Sequence, residues 1–100
     1  MKHRNVRLTD EALADVDSAT LFYEKLVAVL GQYFFDSIIT DLEALEFFGG
    51  IHQQTLGYYG CPSKRFPFLI YYELSDEEVS VIAILDTRAN PGEAEKRLSS

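Results

Sequence analysis

The stretch Arg65-Phe66-Pro67-Phe68-Leu69-Ile70-Tyr71-Tyr72 is dense in aromatic and branched residues and reads as a β-strand from Phe66 to Tyr72. Pro67 has no N–H to give a ladder, so it belongs near the strand start or at a bulge. Ser75-Asp76-Glu77 makes a hairpin turn, and Val79-Ser80-Val81-Ile82-Ala83-Ile84-Leu85-Asp86 forms a second strong strand. Val79, Val81, Ala83 and Leu85 oppose Ile82 and Ile84, so both faces are apolar, as in a central strand. Thr87-Arg88-Ala89-Asn90-Pro91 follows at once. Asn90-Pro91-Gly92 opens a short helix through Glu93 to Leu98, with Pro91 suited to its first turn.

Upstream of this hairpin, Ile51 to Tyr59 reads as a strand of moderate strength, and Gly60-Cys61-Pro62-Ser63 as a turn cluster. Before Gly49-Gly50 the apolar period becomes helical. Phe34, Ile38, Leu42 and Leu45 form one stripe, with Phe35 and Ile39 beside it. An earlier helix starts at Thr9-Asp10-Glu11-Ala12, where Thr9 can cap and the two acids suit the positive end of the helix dipole. Its periodic residues are Leu13, Val16, Ala19, Tyr23, Leu26, Val27 and Leu30, and Gly31 is the natural stop. Two helices joined around Gly31-Gln32 should pack antiparallel. Residues near Arg4 to Leu8 can form a first edge strand. The expected fold is α+β in the order β-α-α-β-β-β-α, a helical hairpin packed on one face of a small, mostly antiparallel sheet.

One hundred residues make a single domain, spanning 1–100. Aromatic and aliphatic content marks it as globular. No apolar run is long enough to span a bilayer. The basic N-terminus Met1-Lys2-His3-Arg4 is not followed by the apolar run and small-residue cleavage site of a signal peptide, so the expected location is the cytoplasm. Cys61 is the only cysteine, which excludes an internal disulfide and a thiolate metal cluster. The net charge of −7 is unevenly spread. Asp10, Glu11, Asp15, Asp17, Glu24, Asp36, Asp41, Glu43 and Glu46 face one base, Lys25, between Thr9 and Glu46, while the rest of the chain is nearly neutral. Such a surface repels phosphate backbones and disfavours direct nucleic-acid binding. A local basic patch from His3, Arg4, Arg7, Lys64, Arg65 and Arg88 stays open.

The element order, together with Ala14-Asp15-Val16, Phe66 to Tyr72, and Ile84-Leu85-Asp86-Thr87-Arg88-Ala89-Asn90-Pro91, resembles the RelE/ParE superfamily of type II toxins, in the plasmid-stabilisation class. The resemblance spans nearly the whole chain. It implies a toxin paired with a small antitoxin, which neutralises by laying helices or a strand across the sheet and the helical hairpin. RelE-like members cut messenger RNA in the ribosome with clustered Arg and Lys and often a C-terminal Tyr or His. ParE-like members poison DNA gyrase without a known reaction of their own. Phe68 stands where the ribonucleases often carry an arginine, Asp86 where many relatives have His, and Ala89 where they have a second Arg. Only Arg88 matches, and the stretch from Gly92 to Leu98 offers no Tyr or His. The resemblance therefore points to the ParE-like branch, with a ribosome-dependent endonuclease and a non-toxic interaction relic as alternatives. It implies no catalytic residue, cofactor or metal.

Arg88 leads the residues expected to touch a target or the antitoxin; the competing role is a structural ion pair with Asp86 or a helix acid. Lys64 and Arg65 either extend a basic edge with Arg88 or are solvated charges that blunt a strand edge. Tyr58, Tyr59, Tyr71 and Tyr72 form an expected aromatic surface beside the sheet, with Tyr58 and Tyr71 taken as partner-binding residues. His52 reads as an exposed strand histidine, and Cys61 as inert. Asp76, Glu77 and Glu78 read as turn residues.

Overall fold

A computed structural model describes residues 3–89 and 91–99. Asn90, expected to open the last helix, lies outside the described residues, as do Met1, Lys2 and Ser100. The elements are β1 (Asn5–Leu8), α1 (Asp10–Leu26), α2 (Ala28–Phe48), β2 (Gln54–Thr55), β3 (Tyr58–Pro62), β4 (Phe68–Leu74), β5 (Glu78–Asp86) and α3 (Pro91–Ser99). They form an α+β fold with a five-stranded sheet in the order β1-β5-β4-β3-β2. Only the β1–β5 pair is parallel; the other neighbours are antiparallel.

The helical hairpin covers one sheet face. Val16, Tyr23, Phe34, Ile38, Leu42 and Leu45 meet Phe68, Ile70, Tyr72, Val79, Val81 and Ile84 in the main core. On the opposite face, α3 brings Leu98 and Ala94 over Tyr71, Ala83, Leu69 and Leu85. β5 serves both cores through a bulge. Tyr71 pairs with Ala83 and Tyr72 with Val81, which leaves Ile82 as the extra residue. Val79 and Val81 therefore face the hairpin before the bulge, and Ile84 faces it afterwards. The Ile82 carbonyl left by the bulge lies 3.5 Å from Thr9 Oγ1 and from an Arg97 guanidinium nitrogen.

Thr9 caps α1, its Oγ1 accepting from the Ala12 N–H at 3.2 Å, and Asp10 and Glu11 occupy the first turn. The helix does not run to Gly31. It stops at Leu26, and Val27 alone is extended (φ −149°, ψ 127°), its N–H donating to the Tyr23 carbonyl. Gly31 instead sits inside α2 at the closest approach to α1. A Cβ there would lie 2.8 Å from Glu24 Cβ and 3.0 Å from the Thr20 carbonyl. The glycine was a stop signal in sequence but is a contact requirement in space. The inward arc of α1 centres on Ala12, Val16 and Tyr23, so Leu13, Leu26 and Val27, expected in the core, are exposed. The α2 stripe of Phe34, Ile38, Leu42 and Leu45 is buried as expected.

The expected single strand over Ile51–Tyr59 is two strands. Leu56 and Gly57, both with positive φ (55° and 86°), make a two-residue turn between β2 and β3. Gly60, Cys61 and Pro62 continue β3 and are not a turn; the turn falls later, and β4 begins at Phe68, directly after Pro67.

Candidate functional site

The end of β5 is the best-organised polar site on the sheet. Phe68 pairs with Asp86, and Thr87 donates to the Pro67 carbonyl from both its N–H (2.8 Å) and its Oγ1 (2.9 Å). Those bonds hold the loop carrying Lys64 and Arg65 against the segment carrying Arg88. Arg88 turns back on Asp86: its N–H donates to Oδ1 at 2.8 Å, its Nε to Oδ1 at 3.1 Å, and its Nη2 to Oδ2 at 2.9 Å. Nη2 also donates to the Tyr23 hydroxyl at 3.3 Å. The Arg88 hydrogen bond holds the Asp86 carboxyl below the usual carboxylate range, and the same bond raises the guanidinium further. Both groups therefore stay ionised near neutral pH. The Arg88 side chain is 61 % exposed, so an incoming partner can reach the paired guanidinium.

Tyr23 anchors this end from below. It stacks on Phe34 with centroids 5.0 Å apart and meets Phe66 edge-on at 5.0 Å. Two cavities flank Asp86. One, of about 240 Å³, runs between α3 and the sheet and is lined by Tyr71, Leu85, Thr87 and Pro91. The other, of about 280 Å³, opens toward α1 and is lined by Asp15, Ser18, Phe22 and Phe68.

The Thr87–Pro67 bonds join the segment before Arg88 to the loop that carries the exposed Lys64 and Arg65, and Tyr71 and Asp86 both line the first cavity. Lys64 and Arg65 form no ion pair among the described residues. The expected tyrosine surface is not present in that form. Tyr71 is buried under α3, and Tyr58 is half-buried against the same cluster. Tyr72 is fully buried on the hairpin face, with Tyr59 stacked on it at 5.2 Å. Strand alternation explains this: adjacent Tyr71 and Tyr72 point to opposite faces, and each face is covered.

His52 is neither on a strand nor exposed. It follows α2, half-buried, with Nδ1 2.6 Å from the Tyr72 hydroxyl. That hydroxyl accepts from the Gly50 N–H at 2.8 Å, so its own proton goes to His52. Burial lowers the His52 pKa and raises that of Tyr72. No sequence signal links positions 52 and 72. His3 pairs with Glu46 at 2.8 Å, so both histidines lie away from Arg88. Burial, with Asp41 nearby, pushes the Cys61 thiol up to about 11, which keeps it unreactive. Among the described residues no three His, Cys, Asp or Glu side chains converge as a metal site would need, and no helix is long and apolar enough to cross a membrane.

The family model for the ParE toxin of the type II toxin–antitoxin system parDE matches residues 6–91, from β1 to the first residue of α3. The chain belongs to the ParE toxin family. The ParE-family chain is also similar to a chain of the chromosomal ParDE TA system from P. aeruginosa, with a TM-score of 0.73 and 18% identity over 82% of this chain and 94% of that one. At that identity the likeness speaks for the fold alone. No curated protein matches the ParE-family chain.

Proposed function

We propose that this chain is a toxin that acts by binding a host protein, DNA gyrase, and that a cognate antitoxin neutralises it. The observation that carries this reading is the Asp86–Arg88 pair at the end of β5. A cation held by a carboxylate and a tyrosine hydroxyl is shaped to meet a partner's charges and hydrogen bonds. Stabilising a phosphate in a cleavage transition state calls for an unneutralised arginine and a proton-transfer group tuned near neutrality. Asp86 and Arg88 are both pushed away from neutrality, in opposite directions. The acidic balance of the chain supports a protein target over a ribosome, because long-range repulsion slows approach to an anionic particle.

Arg88, with Arg65 and Lys64 on the loop that Thr87 ties to Pro67, supplies the cationic part of the contact surface. Tyr71 acts from beneath it by shaping the cavity wall. Expression of the chain alone is expected to arrest growth with DNA-damage signalling, and co-expression of the neighbouring small gene to relieve it. Harmless expression of folded protein at high level would contradict the toxin reading.

A further inference from the structure

Two adjacent tyrosines of β4 differ in what their hydroxyls meet. That of Tyr72 is bonded to both Gly50 and His52. Tyr71 is only 6 % exposed, yet its hydroxyl has no hydrogen-bond partner among the described residues. It is not sealed in the core, because the Thr20 hydroxyl is the one fully buried, unpartnered side-chain polar atom among them. Tyr71 lines the cavity of about 240 Å³ between α3 and the sheet. Leu69, Leu85, Pro91 and Ala94 are apolar walls of that cavity, and Thr87, Asp86 and Glu93 are its other polar side chains. Each of these three offers acceptors only. The Thr87 hydroxyl proton is committed to the Pro67 carbonyl, which leaves its lone pairs. Asp86 takes two bonds from Arg88 on Oδ1 and one on Oδ2, so Oδ2 can accept another. Glu93 forms no ion pair among the described residues, and its influence on Arg97 is the weakest of those that raise that guanidinium. Arg88 does not line the cavity.

We propose that this cavity receives an arginine side chain of a protein partner, with the aliphatic stem against Leu69, Leu85, Pro91 and Ala94 and the guanidinium donating to Glu93, Asp86, Thr87 and Tyr71. The surplus of acceptors decides the chemistry. A guanidinium carries five N–H donors and no acceptor, and it is less strongly hydrated than a lysine ammonium. An anion would meet two carboxylates, with the Tyr71 proton as its one side-chain donor. A purely apolar group would take Glu93 out of water and leave the Tyr71 hydroxyl unbonded, both of which cost free energy. The positive end of α3 does not reverse this preference, since Pro91 brings no N–H and Glu93 in the first turn already answers the dipole. Size points the same way. About 240 Å³ is below the roughly 300–1,000 Å³ of small-molecule pockets but accommodates one long side chain. Arginine is also among the residues enriched as interface anchors. The inference rests on reading the chain as a partner-binding protein and names what enters beside Arg88. Its assay uses purified chain and a small ligand, whereas growth arrest reads toxicity, so the two can fail separately.

The test is a heteronuclear NMR titration of the purified chain with N-acetyl-arginine-N-methylamide, beside the citrulline analogue, which has the same shape without the charge. The arginine amide is expected to give saturable shifts at Tyr71, Thr87 and Ala94, and the citrulline amide to bind at least about tenfold more weakly. Glu93→Gln should weaken arginine binding about fivefold. Tyr71→Phe, which keeps the ring and its packing, should weaken it about threefold. Glu95→Gln removes the same charge from the same helix away from the cavity, and is expected to alter binding less than about twofold. Absence of saturable shifts, equal binding of the citrulline amide, or equal weakening by Glu95→Gln and Glu93→Gln would overturn the proposal. So would agmatine binding at least about tenfold tighter than the arginine amide, since a free small cation would then be the occupant.

Discussion

Asp15 in α1 and Arg97 in α3 form a two-point ion pair, with both nitrogen–oxygen distances 2.9 Å. The same carboxylate accepts the Ile84 N–H at 3.0 Å, so one side chain joins α1, β5 and α3. Hydrogen bonding to Asp15 is also the main reason the Arg97 pKa is raised.

Replacing Asp15 therefore removes three bonds and leaves a guanidinium and an amide N–H short of partners. Asp15→Ala is expected to cost about 2 kcal/mol, below the roughly 3–5 kcal/mol of breaking a fully buried pair, because Arg97 keeps a third of its side chain in water. Urea denaturation checks the magnitude. Hydrogen exchange should show α3 losing protection first.

Gly31 is held by the closeness of the two helices. Gly31→Ala would gain about 1 kcal/mol of helix propensity. Against that stands a Cβ 2.8 Å from Glu24 Cβ and 3.0 Å from a backbone oxygen, a contact relieved only by moving α2 off α1. The expected outcome is net destabilisation of about 1–2 kcal/mol, larger for Gly31→Val. A rise in thermal midpoint for Gly31→Ala would contradict this account of the hairpin.

Leu56 is the only non-glycine residue with positive φ among the described residues, at 55°. A branched side chain is poorly suited to that conformation, whereas Asn-Gly is the preferred pair for such a turn. Leu56→Asn is expected to stabilise the chain by about 0.5–1 kcal/mol. Its side chain is half exposed, so little packing is lost. Thermal denaturation of the single substitution is sufficient.

His52 makes stability depend on pH. Its folded pKa lies below the ordinary histidine value of 6.5, because burial disfavours the cation. Between the two pKa values the unfolded chain binds more protons, so stability rises with pH there. The contribution is complete above pH 6.5 and declines as pH falls toward the folded value. The denaturation midpoint should drop over that window in the native chain and drop less in His52→Gln. Parallel pH profiles for the two proteins would rule out this role.

The parts of the fold legible in sequence were those where local chemistry and tertiary packing agree. Thr9 caps a helix because its hydroxyl reaches Ala12, and Phe34, Ile38, Leu42 and Leu45 form a stripe because α2 has one buried face. The β4–β5 hairpin declared itself through apolar density on both faces. What stayed hidden depends on distant neighbours. Gly31 looked like a terminator because its partners, Thr20 and Glu24, belong to another helix. The Leu56-Gly57 turn is not legible in sequence, because leucine is an improbable residue for a positive φ. The adjacent tyrosines of β4 could not be assigned to covered faces without knowing that α3 closes one of them. At the candidate site, Arg88 and Asp86 were visible as neighbours in the chain. The Tyr23 hydroxyl, 65 residues away, was not, nor was the 82-residue link from Asp15 to Arg97.

The central claim, a toxin that works by binding, is tested most directly with one preparation of purified chain assayed two ways. It is titrated into a DNA gyrase supercoiling reaction and into a translation reaction whose messenger RNA is mapped by primer extension. The account predicts dose-dependent loss of supercoiling, weakened by Arg88→Ala, with intact messenger RNA. Undisturbed supercoiling at every dose, together with ribosome-dependent cleavage that Arg88→Ala abolishes, would contradict it.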